Sequence, residues 1–304
     1  MAGDWASKAR SWRLWVGLAV LAAVLGAGWR FWWTRPAPAT VDPPRYEITK
    51  TVAYSFTLKN GTGRLLEGGE FWTYAPHRET ASQRCCERLD ASAPYTLEAD
   101  ASGNQVLHFR LAPLPPYATR IIRVTAGLRM AAVPNRLPGV PAASATTAER
   151  FIESDHPLIL TRAAALKGRD ALGTARRTFD WAAQNVRDSG YVREERGALY
   201  ALQQQRGDCT ESMDLFLALA RANGIPAQAA AGYVVAGSGV LRPAGYHNWA
   251  YFYADGTWRI SDPQRRVFAA GDADYVAMRV GSGATGLDAR RYWSSGAGLE
   301  ARMD

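Results

Sequence analysis

Hydrophobic and polar residues alternate in a segment that begins at residue 46 and is rich in strand-forming residues. Between positions 46 and 58, apolar side chains occupy nearly every second position, with threonine, serine and glutamate between them. A period of two residues is typical of a strand with one buried face. Similar runs follow at 70–74, 95–99, 106–111 and 120–130. Together these runs predict an antiparallel β-sandwich over residues 46–135.

The pattern changes to a helical period after Pro157. Apolar residues recur at steps of three and four between positions 172 and 186, which predicts an amphipathic helix. A short helix at 198–205 and a further amphipathic helix from Cys209 to Asn223 follow. The remaining strand-like segments lie at 228–235, 248–253 and 258–263. The second half is therefore predicted to be α+β, with helices packed on an antiparallel sheet.

The most apolar stretch lies near the amino terminus. Residues 14–33 are 20 residues with one charge, at Arg30, which is the length of a transmembrane helix. Lys8, Arg10 and Arg13 precede this stretch and predict a cytoplasmic tail, with the rest of the chain on the periplasmic or extracellular side. A cleaved signal peptide is the alternative. The bulky Trp-Arg-Phe-Trp-Trp run at 29–33 favours an uncleaved, single-pass anchor.

These patterns divide the chain into six segments. Composition marks the connections between them, because proline-rich stretches are typical of extended spacers. The predicted segments are a cytoplasmic tail (1–13), a transmembrane helix (14–33), a Pro-rich linker (34–45), a β-sandwich domain (46–135), a second linker (136–155) and an α+β domain (156–304).

Charge and cysteine content narrow the function classes. The net charge is +8, but the arginines are scattered and no nucleic-acid-binding module is recognisable, so we expect no nucleic acid partner. The three cysteines and four histidines show no metal-ligand spacing, so we expect neither a metal nor another cofactor. The adjacent Cys85 and Cys86 could form a disulfide with each other, pair between chains or remain ordinary thiols.

One cysteine stands where a helix is predicted to begin. Unpaired backbone N–H groups at a helix start favour a thiolate and can hold an oxyanion, so Cys209 is a candidate nucleophile. His247 and Asp262 lie on two strands joined by a predicted turn at Asp255-Gly256. Neighbouring strands are about 4.8 Å apart, close enough for a carboxylate to orient an imidazole. The three residues are predicted to form a catalytic triad.

Three sequence blocks, in a fixed order, carry a family resemblance. The first is Gly207-Asp208-Cys209-Thr210-Glu211, the second contains Gly224-Ile225-Pro226-Ala227, and the third contains His247-Asn248-Trp249-Ala250 and Asp262-Pro263. Over roughly residues 160–265 the chain resembles the transglutaminase-like superfamily, whose fold is papain-like. The resemblance implies Cys209 as nucleophile, His247 as general base and acid, and Asp262 as the group that orients the histidine.

The resemblance implies acyl transfer on a peptide or protein substrate through a thioester. Microbial members of the superfamily are often hydrolases, so a peptidase or amidase in the cell envelope is the expected function. A cross-linking transglutaminase and a non-catalytic binding scaffold are the alternatives. Gln205, Trp249 and Tyr246 are further candidates for the substrate cleft or the oxyanion site. The sequence does not identify protein partners.

Overall fold

The computed structural model describes residues 43–100, 102–191, 194–281 and 291–304. The transmembrane helix predicted at 14–33 and most of the spacer after it lie outside these residues. Among the helices of the described ranges, none has the length and apolar character needed to cross a membrane. All of the described residues belong to one unit that begins at Pro43.

Two antiparallel sheets face each other in the first part of the chain. The first contains β1 (Ile48–Asn60), β3 (Gln83–Ala91) and β6 (Thr119–Met130), and the second contains β2 (Gly69–Ala75), β4 (Thr96–Ala99) and β5 (Gln105–Leu111). Strand β1 pairs with β6 along its length, so that Phe56 lies opposite Ile122. The alternation seen in the sequence buries one face of β1. Phe56, Phe71 and Phe109 are part of the core between the two sheets.

The carboxyl-terminal residues complete both of these sheets. Strand β15 (Tyr292–Ser295) pairs with β2, and β16 (Leu299–Met303) pairs with β1. Tyr292 packs its ring against Phe56 and Phe71 in the core. The sheets therefore take strands from both sides of the boundary predicted at residue 135. The division into six segments itself stays a prediction.

The α+β part consists of four helices and a second antiparallel arrangement of strands. The helices are α1 (Pro157–Leu166), α2 (Ala171–Asn185), α3 (Gly197–Gln204) and α4 (Cys209–Ala222). The main sheet has the order β13-β12-β11-β9-β14, with β9 at Ala227–Val234, β11 at Tyr246–Ala254, β12 at Thr257–Asp262, β13 at Val267–Phe268 and β14 at Tyr275–Gly281. Short strands β7 (Arg187–Asp188) and β8 (Arg206–Gly207) form a separate pair, and β10 (Gly239–Val240) pairs with β1.

Helix α4 lies in the core of this part. Eleven of its residues, from Glu211 to Arg221, are buried, and it packs on α1, α2, α3 and the strands β9 and β11. Phe216 contacts Phe252 of β11, with ring centroids 5.8 Å apart. Because the helix is held on all sides, the residue at its first position has a fixed place relative to the sheet. The mixed α+β class predicted for this half is confirmed.

A buried lysine joins the two parts of the described chain. Lys50 of β1 is 2% exposed, and its Nζ donates to the carbonyl oxygens of Val235 and Ala273 at 2.7 and 2.6 Å. It also lies 3.3 Å from Asp274 Oδ1. A buried ammonium group requires such partners. The sandwich is thereby attached next to the edge strand β14 of the main sheet.

The structure also brings together the two adjacent cysteines of the sandwich. It pairs Cys85 and Cys86 as a disulfide within strand β3. That strand was not predicted from the sequence, because its charged residues interrupt any alternation. Its pairing with β6 also shifts register between Cys85 and Arg88, which breaks the period of two expected of a regular strand.

Candidate active site

The candidate nucleophile occupies the first position of helix α4. Asp208 caps the helix, since its Oδ1 accepts from the backbone N–H of Thr210 at 2.7 Å. Glu211 completes a capping box, because its Oε2 accepts from the backbone N–H of Asp208 at 2.9 Å. A Cβ at position 207 would overlap with Glu211 Cβ, so only glycine fits there. The Gly-Asp-Cys-Thr-Glu block is therefore a helix-start motif that fixes Cys209.

An ion pair with Arg196 holds this cap in place. Arg196 Nη2 lies 3.0 Å from Glu211 Oε2, and the backbone N–H of Arg196 donates to Glu211 Oε1 at 3.1 Å. Burial raises the pKa of Glu211, but the bonds from Arg196 and from the Asp208 backbone outweigh it and hold this pKa below its ordinary value. The carboxylate that closes the capping box therefore stays ionised beside Cys209.

Histidine and aspartate meet at the end of the strand pair β11–β12. The His247 Nε2 and Asp262 Oδ2 atoms are 2.6 Å apart, and Asp262 is 1% exposed. A carboxylate only accepts, so Nε2 carries the hydrogen and Nδ1 is left with a lone pair. Asp262 is fixed in turn by the backbone N–H of Arg265, at 3.1 Å from Oδ1. This is the relation that orients a general base.

The thiol of Cys209 lies next to this pair. The backbone N–H of Asn248, the residue after His247, donates to Cys209 Sγ, as does the hydroxyl of Thr210. Asn248 Nδ2 donates to Thr210 Oγ1 at 2.9 Å, which ties the start of α4 to β11. Asn248 and Thr210 were not singled out from the sequence, although both lie inside the quoted blocks. Their contacts bring Cys209 to the strand that carries His247.

The protonation state of the thiol differs from the sequence expectation. Burial foremost, and next the charge of Asp208, raise the pKa of Cys209 to about 11. The bonds from Asn248 and Thr210 lower this pKa without reversing the shift, and the charge of Asp262 raises it further. The expectation that the helix start alone favours a thiolate is wrong. The raised pKa favours the thiol at neutral pH, so a base must take its proton as the sulfur attacks.

The three additional candidates occupy different surroundings. Trp249 is fully buried and stacks near the His247 ring, with centroids 6.5 Å apart and planes at 20°. Tyr246 is half-buried and close enough to Cys209 to interact with it electrostatically. Gln205 follows α3 and lines a groove with Trp181 and Leu202. Roles for these residues in the cleft or the oxyanion site stay predictions.

Metal ligation was not expected from the sequence. Within the described ranges, no group of three or more histidine, cysteine, aspartate or glutamate residues could hold a metal ion.

A tyrosine that the sequence did not indicate supports the histidine–aspartate pair. Tyr275 of β14 donates its hydroxyl to Asp262 Oδ2 at 2.8 Å. Burial foremost, and then the negative charge of Asp262, raise the pKa of Tyr275 well above its ordinary value, so it remains a donor. Its ring lies edge-on to Trp249, with centroids 5.0 Å apart. Tyr275 thus positions Asp262 from strand β14, which pairs with β9 at the edge of the main sheet.

We expect Tyr275→Phe to lower kcat/KM about tenfold, since a hydrogen bond to a charged acceptor is worth about 1.5–3 kcal/mol. The loss should appear in kcat, because Tyr275 is buried and does not reach the substrate. Without the hydroxyl, Asp262 attracts the imidazolium more strongly, so the acid limb of the pH–rate profile should move to higher pH. Tyr253→Phe, on the same sheet, is the matched control. An unmoved acid limb would contradict the positioning role.

Two carboxyl groups, one of them on the nucleophile helix, are hydrogen-bonded to each other. Glu195 lies before α3, and its side chain bonds to that of Asp214 in α4. Burial foremost, and then the charge of Glu211, raise the pKa of Glu195 to about 7. Burial followed by the charge of Glu195 raises the pKa of Asp214 well above its ordinary value. The charges of Glu153, Asp208 and Arg150 also act on this pair.

This pair predicts a pH dependence of stability. A carboxyl group whose pKa is higher in the folded than in the unfolded state stabilises the fold fully below its ordinary pKa. That contribution is lost as the pH rises through about 7. In Asp214→Asn the amide donates to Glu195 at any pH. We therefore expect the free energy of unfolding of this variant to exceed that of the wild type by roughly 1–2 kcal/mol at pH 8 and to equal it near pH 5. Urea unfolding across this range measures the difference. Asp180→Asn, in a partly exposed ion pair with Arg176, should not flatten the curve. A wild type whose stability does not depend on pH would contradict the raised pKa of the Glu195–Asp214 pair.

The arrangement of these three side chains indicates the class of protein. A cysteine at the start of a central helix, beside a histidine–aspartate pair on adjoining antiparallel strands, is typical of proteins that use cysteine-based catalysis. Residues 160–263 match the model of the transglutaminase-like superfamily, and this part of the chain belongs to that superfamily. The resemblance predicted from the three sequence blocks is confirmed.

Solved structures resemble this chain at low sequence identity. A protein from Cytophaga hutchinsonii, provisionally named a cysteine protease, is 19% identical with a TM-score of 0.54, over 84% of this chain and 92% of that one. The periplasmic domain of TgpA from Pseudomonas aeruginosa is 13% identical with a TM-score of 0.38, over 67% of this chain and 89% of that one. The likeness to the Cytophaga hutchinsonii protein concerns the fold alone. No curated protein matches the chain.

Proposed function

We propose that the protein is a cysteine acyl-transfer enzyme that cleaves an amide bond in a peptide or protein through a thioester on Cys209. The observation that carries the proposal is the 2.6 Å contact between His247 Nε2 and Asp262 Oδ2. That contact leaves Nδ1 of His247 as the acceptor, and the next residue, Asn248, binds the sulfur through its backbone N–H. A nucleophile, a base and an orienting group are thus available in the order that acyl transfer needs.

The reaction follows from the protonation states. The thiol proton moves from Sγ to Nδ1 of His247 as Sγ attacks the carbonyl carbon, because the raised pKa of Cys209 keeps the sulfur protonated before attack. The carbonyl oxygen becomes an oxyanion near the first backbone N–H groups of α4. The C–N bond then breaks, and the imidazolium gives its proton to the departing amine. A thioester remains on Cys209, with His247 neutral again.

Water is the proposed acceptor for the second half of the reaction. His247 removes a proton from water as it attacks the thioester, and the carboxylic acid leaves while Sγ regains a proton. A primary amine in place of water would form a new amide bond, which is cross-linking. A scaffold that only binds would form no thioester. The three possibilities therefore differ in what becomes of the acyl group.

Trapping the acyl group distinguishes these possibilities. The protein is mixed with envelope-derived peptides, quenched in acid and digested, and the mass of the peptide that contains Cys209 is measured. We expect an acyl adduct on Cys209 that decays in water at the rate at which carboxylic acid product appears. Transfer to an added amine such as cadaverine in preference to water would favour cross-linking. Absence of any adduct and of any turnover would refute the proposal that the protein is an enzyme.

We also propose that residues 14–33 anchor the protein in the membrane, with the enzyme on the periplasmic or extracellular side. The support is the length of this apolar stretch and the basic residues before it. Membranes from expressing cells should retain the protein after carbonate extraction. Protease added to spheroplasts should digest it, whereas release in soluble form with a new amino terminus would indicate a cleaved signal peptide.

A further inference from the structure

A group of cationic and aromatic side chains lies beside the proposed nucleophile. Arg291 places its guanidinium 4.2 Å from the ring centroid of Tyr246, and Arg279 places its own 4.6 Å from the centroid of Tyr74. We call these four residues the arginine–tyrosine corner. They come from β11, β14, β2 and the residue before β15. The corner therefore forms where the main sheet meets the sandwich.

The corner is adjacent to the reacting atoms. Tyr246 immediately precedes His247, and the Tyr246 hydroxyl and the Cys209 thiol are close enough for their charges to interact. Burial is the largest influence on Tyr246 and raises its pKa to about 12, so the phenol stays neutral and can donate. Arg279 and Arg291 act on the same hydroxyl in the opposite direction. Both positive charges thus act on the residue that directly precedes His247.

The two guanidinium groups are held in fixed positions. The Arg291 Nη1 atom donates to the Pro243 carbonyl at 2.7 Å, and the face of the group lies on Tyr246. Stacking uses the face of a guanidinium, whereas carboxylate recognition uses N–H groups at its edge. Arg279 lies in β14 and is 5% exposed, so it contributes mainly positive potential. A preorganised cation loses little freedom when it binds an anion.

Aromatic rings continue the corner along the outer face of the sandwich. Trp293 lies 5.8 Å from Tyr74 between centroids, and Trp72 lies 5.8 Å from Trp293 with nearly parallel planes. Both tryptophans are half-buried, on neighbouring strands β2 and β15. An extended chain bound in the corner would meet apolar surface beyond the two charges. The arrangement fits a ligand with a negative group near its reactive carbonyl and apolar atoms further along.

We propose that the arginine–tyrosine corner is a specificity subsite that binds a carboxylate of the acyl donor, so that the preferred substrate is an acidic peptide. The inference rests on the proposed function, because it assigns the substrate class of that reaction. Arg291 supplies the direct contact, and Arg279 adds its charge from within the sheet. Trp293 supports the apolar part of the same peptide.

Irreversible labelling of Cys209 tests the subsite without a known substrate. The probes are pairs of short peptidyl chloromethyl ketones of identical sequence except for Glu or Gln at one position near the reactive carbon. Second-order labelling rates are measured on the full chain. We expect one Glu probe to label Cys209 roughly tenfold faster than its Gln partner, the size of one charge-assisted hydrogen bond.

In Arg291→Gln this preference should fall to within about twofold. Arg123→Gln, at an exposed arginine on β6 of the sandwich, is the matched control and should keep the wild-type preference. Arg279→Gln should reduce the preference if the variant folds. Equal rates for Glu and Gln probes at every position, or a preference that survives Arg291→Gln, would overturn the subsite. Failure of every probe to label Cys209 would instead refute the proposed function.

Discussion

Cys209→Ser is expected to lower kcat/KM by at least about 10⁴-fold, the largest effect of any single substitution in this chain. The serine hydroxyl is less acidic than a thiol, and the burial that raises the pKa of Cys209 to about 11 would disfavour an alkoxide as well. The substitution replaces the sulfur with a smaller, less polarisable oxygen and leaves the helix cap from Asp208 and Glu211 intact. Activity should therefore disappear without a change in thermal stability.

The double variant Cys85→Ser, Cys86→Ser is the control for this result. Both residues belong to β3 of the sandwich, and their loss should leave amide cleavage unchanged in the folded protein. Hydrolysis of the best peptide substrate, followed by chromatography, measures all three proteins. Appreciable activity in Cys209→Ser would show that another group performs the attack.

Asp262→Asn is expected to lower kcat/KM about 10³- to 10⁴-fold, with KM nearly unchanged. The asparagine side chain can donate through its amide to Nε2 of His247, which then becomes the acceptor in place of the donor. Nδ1 would carry the hydrogen, so that it could no longer take the proton of Cys209. The loss arises from the wrong tautomer and not from a missing contact, since the side chains have the same shape.

Asp255→Asn provides a matched control on the same hairpin. Asp255 lies in the turn between β11 and β12 with a positive φ of 53°, a conformation that asparagine adopts readily. It should keep wild-type activity. A loss of less than about tenfold in Asp262→Asn would mean that the histidine does not depend on this carboxylate for its tautomer.

Local sequence signals predicted the helices and strands of the α+β part well. The Gly-Asp-Cys-Thr-Glu block contains the capping residues that start α4, and the Asp255-Gly256 turn joins β11 to β12. Each of these features depends on residues within a few positions of one another. For that reason the helix start that carries Cys209 and the strands that carry His247 and Asp262 could be identified from the sequence alone.

Features that depend on distant partners could not be predicted in this way. Strand β16 pairs with β1, so that Met303 lies opposite Phe56, and nothing in the local pattern identifies that partner. Tyr275 supports Asp262 through a single hydroxyl, and a tyrosine on an edge strand has no distinctive signal. The pKa of Cys209 likewise depends on burial and on Asp208 and Asp262 together. These effects outweigh the partial charge of a helix terminus.

The pH dependence of alkylation at Cys209 tests the central claim most directly. Iodoacetamide labelling is measured over a wide pH range in the wild type and in His247→Ala, with the labelled residue identified by peptide mass. Because the pKa of Cys209 is raised to about 11, the thiol needs a base to react at neutral pH. If His247 is that base, the wild type should be labelled at neutral pH, whereas His247→Ala should be labelled only at alkaline pH. Identical profiles in the two proteins would contradict the account.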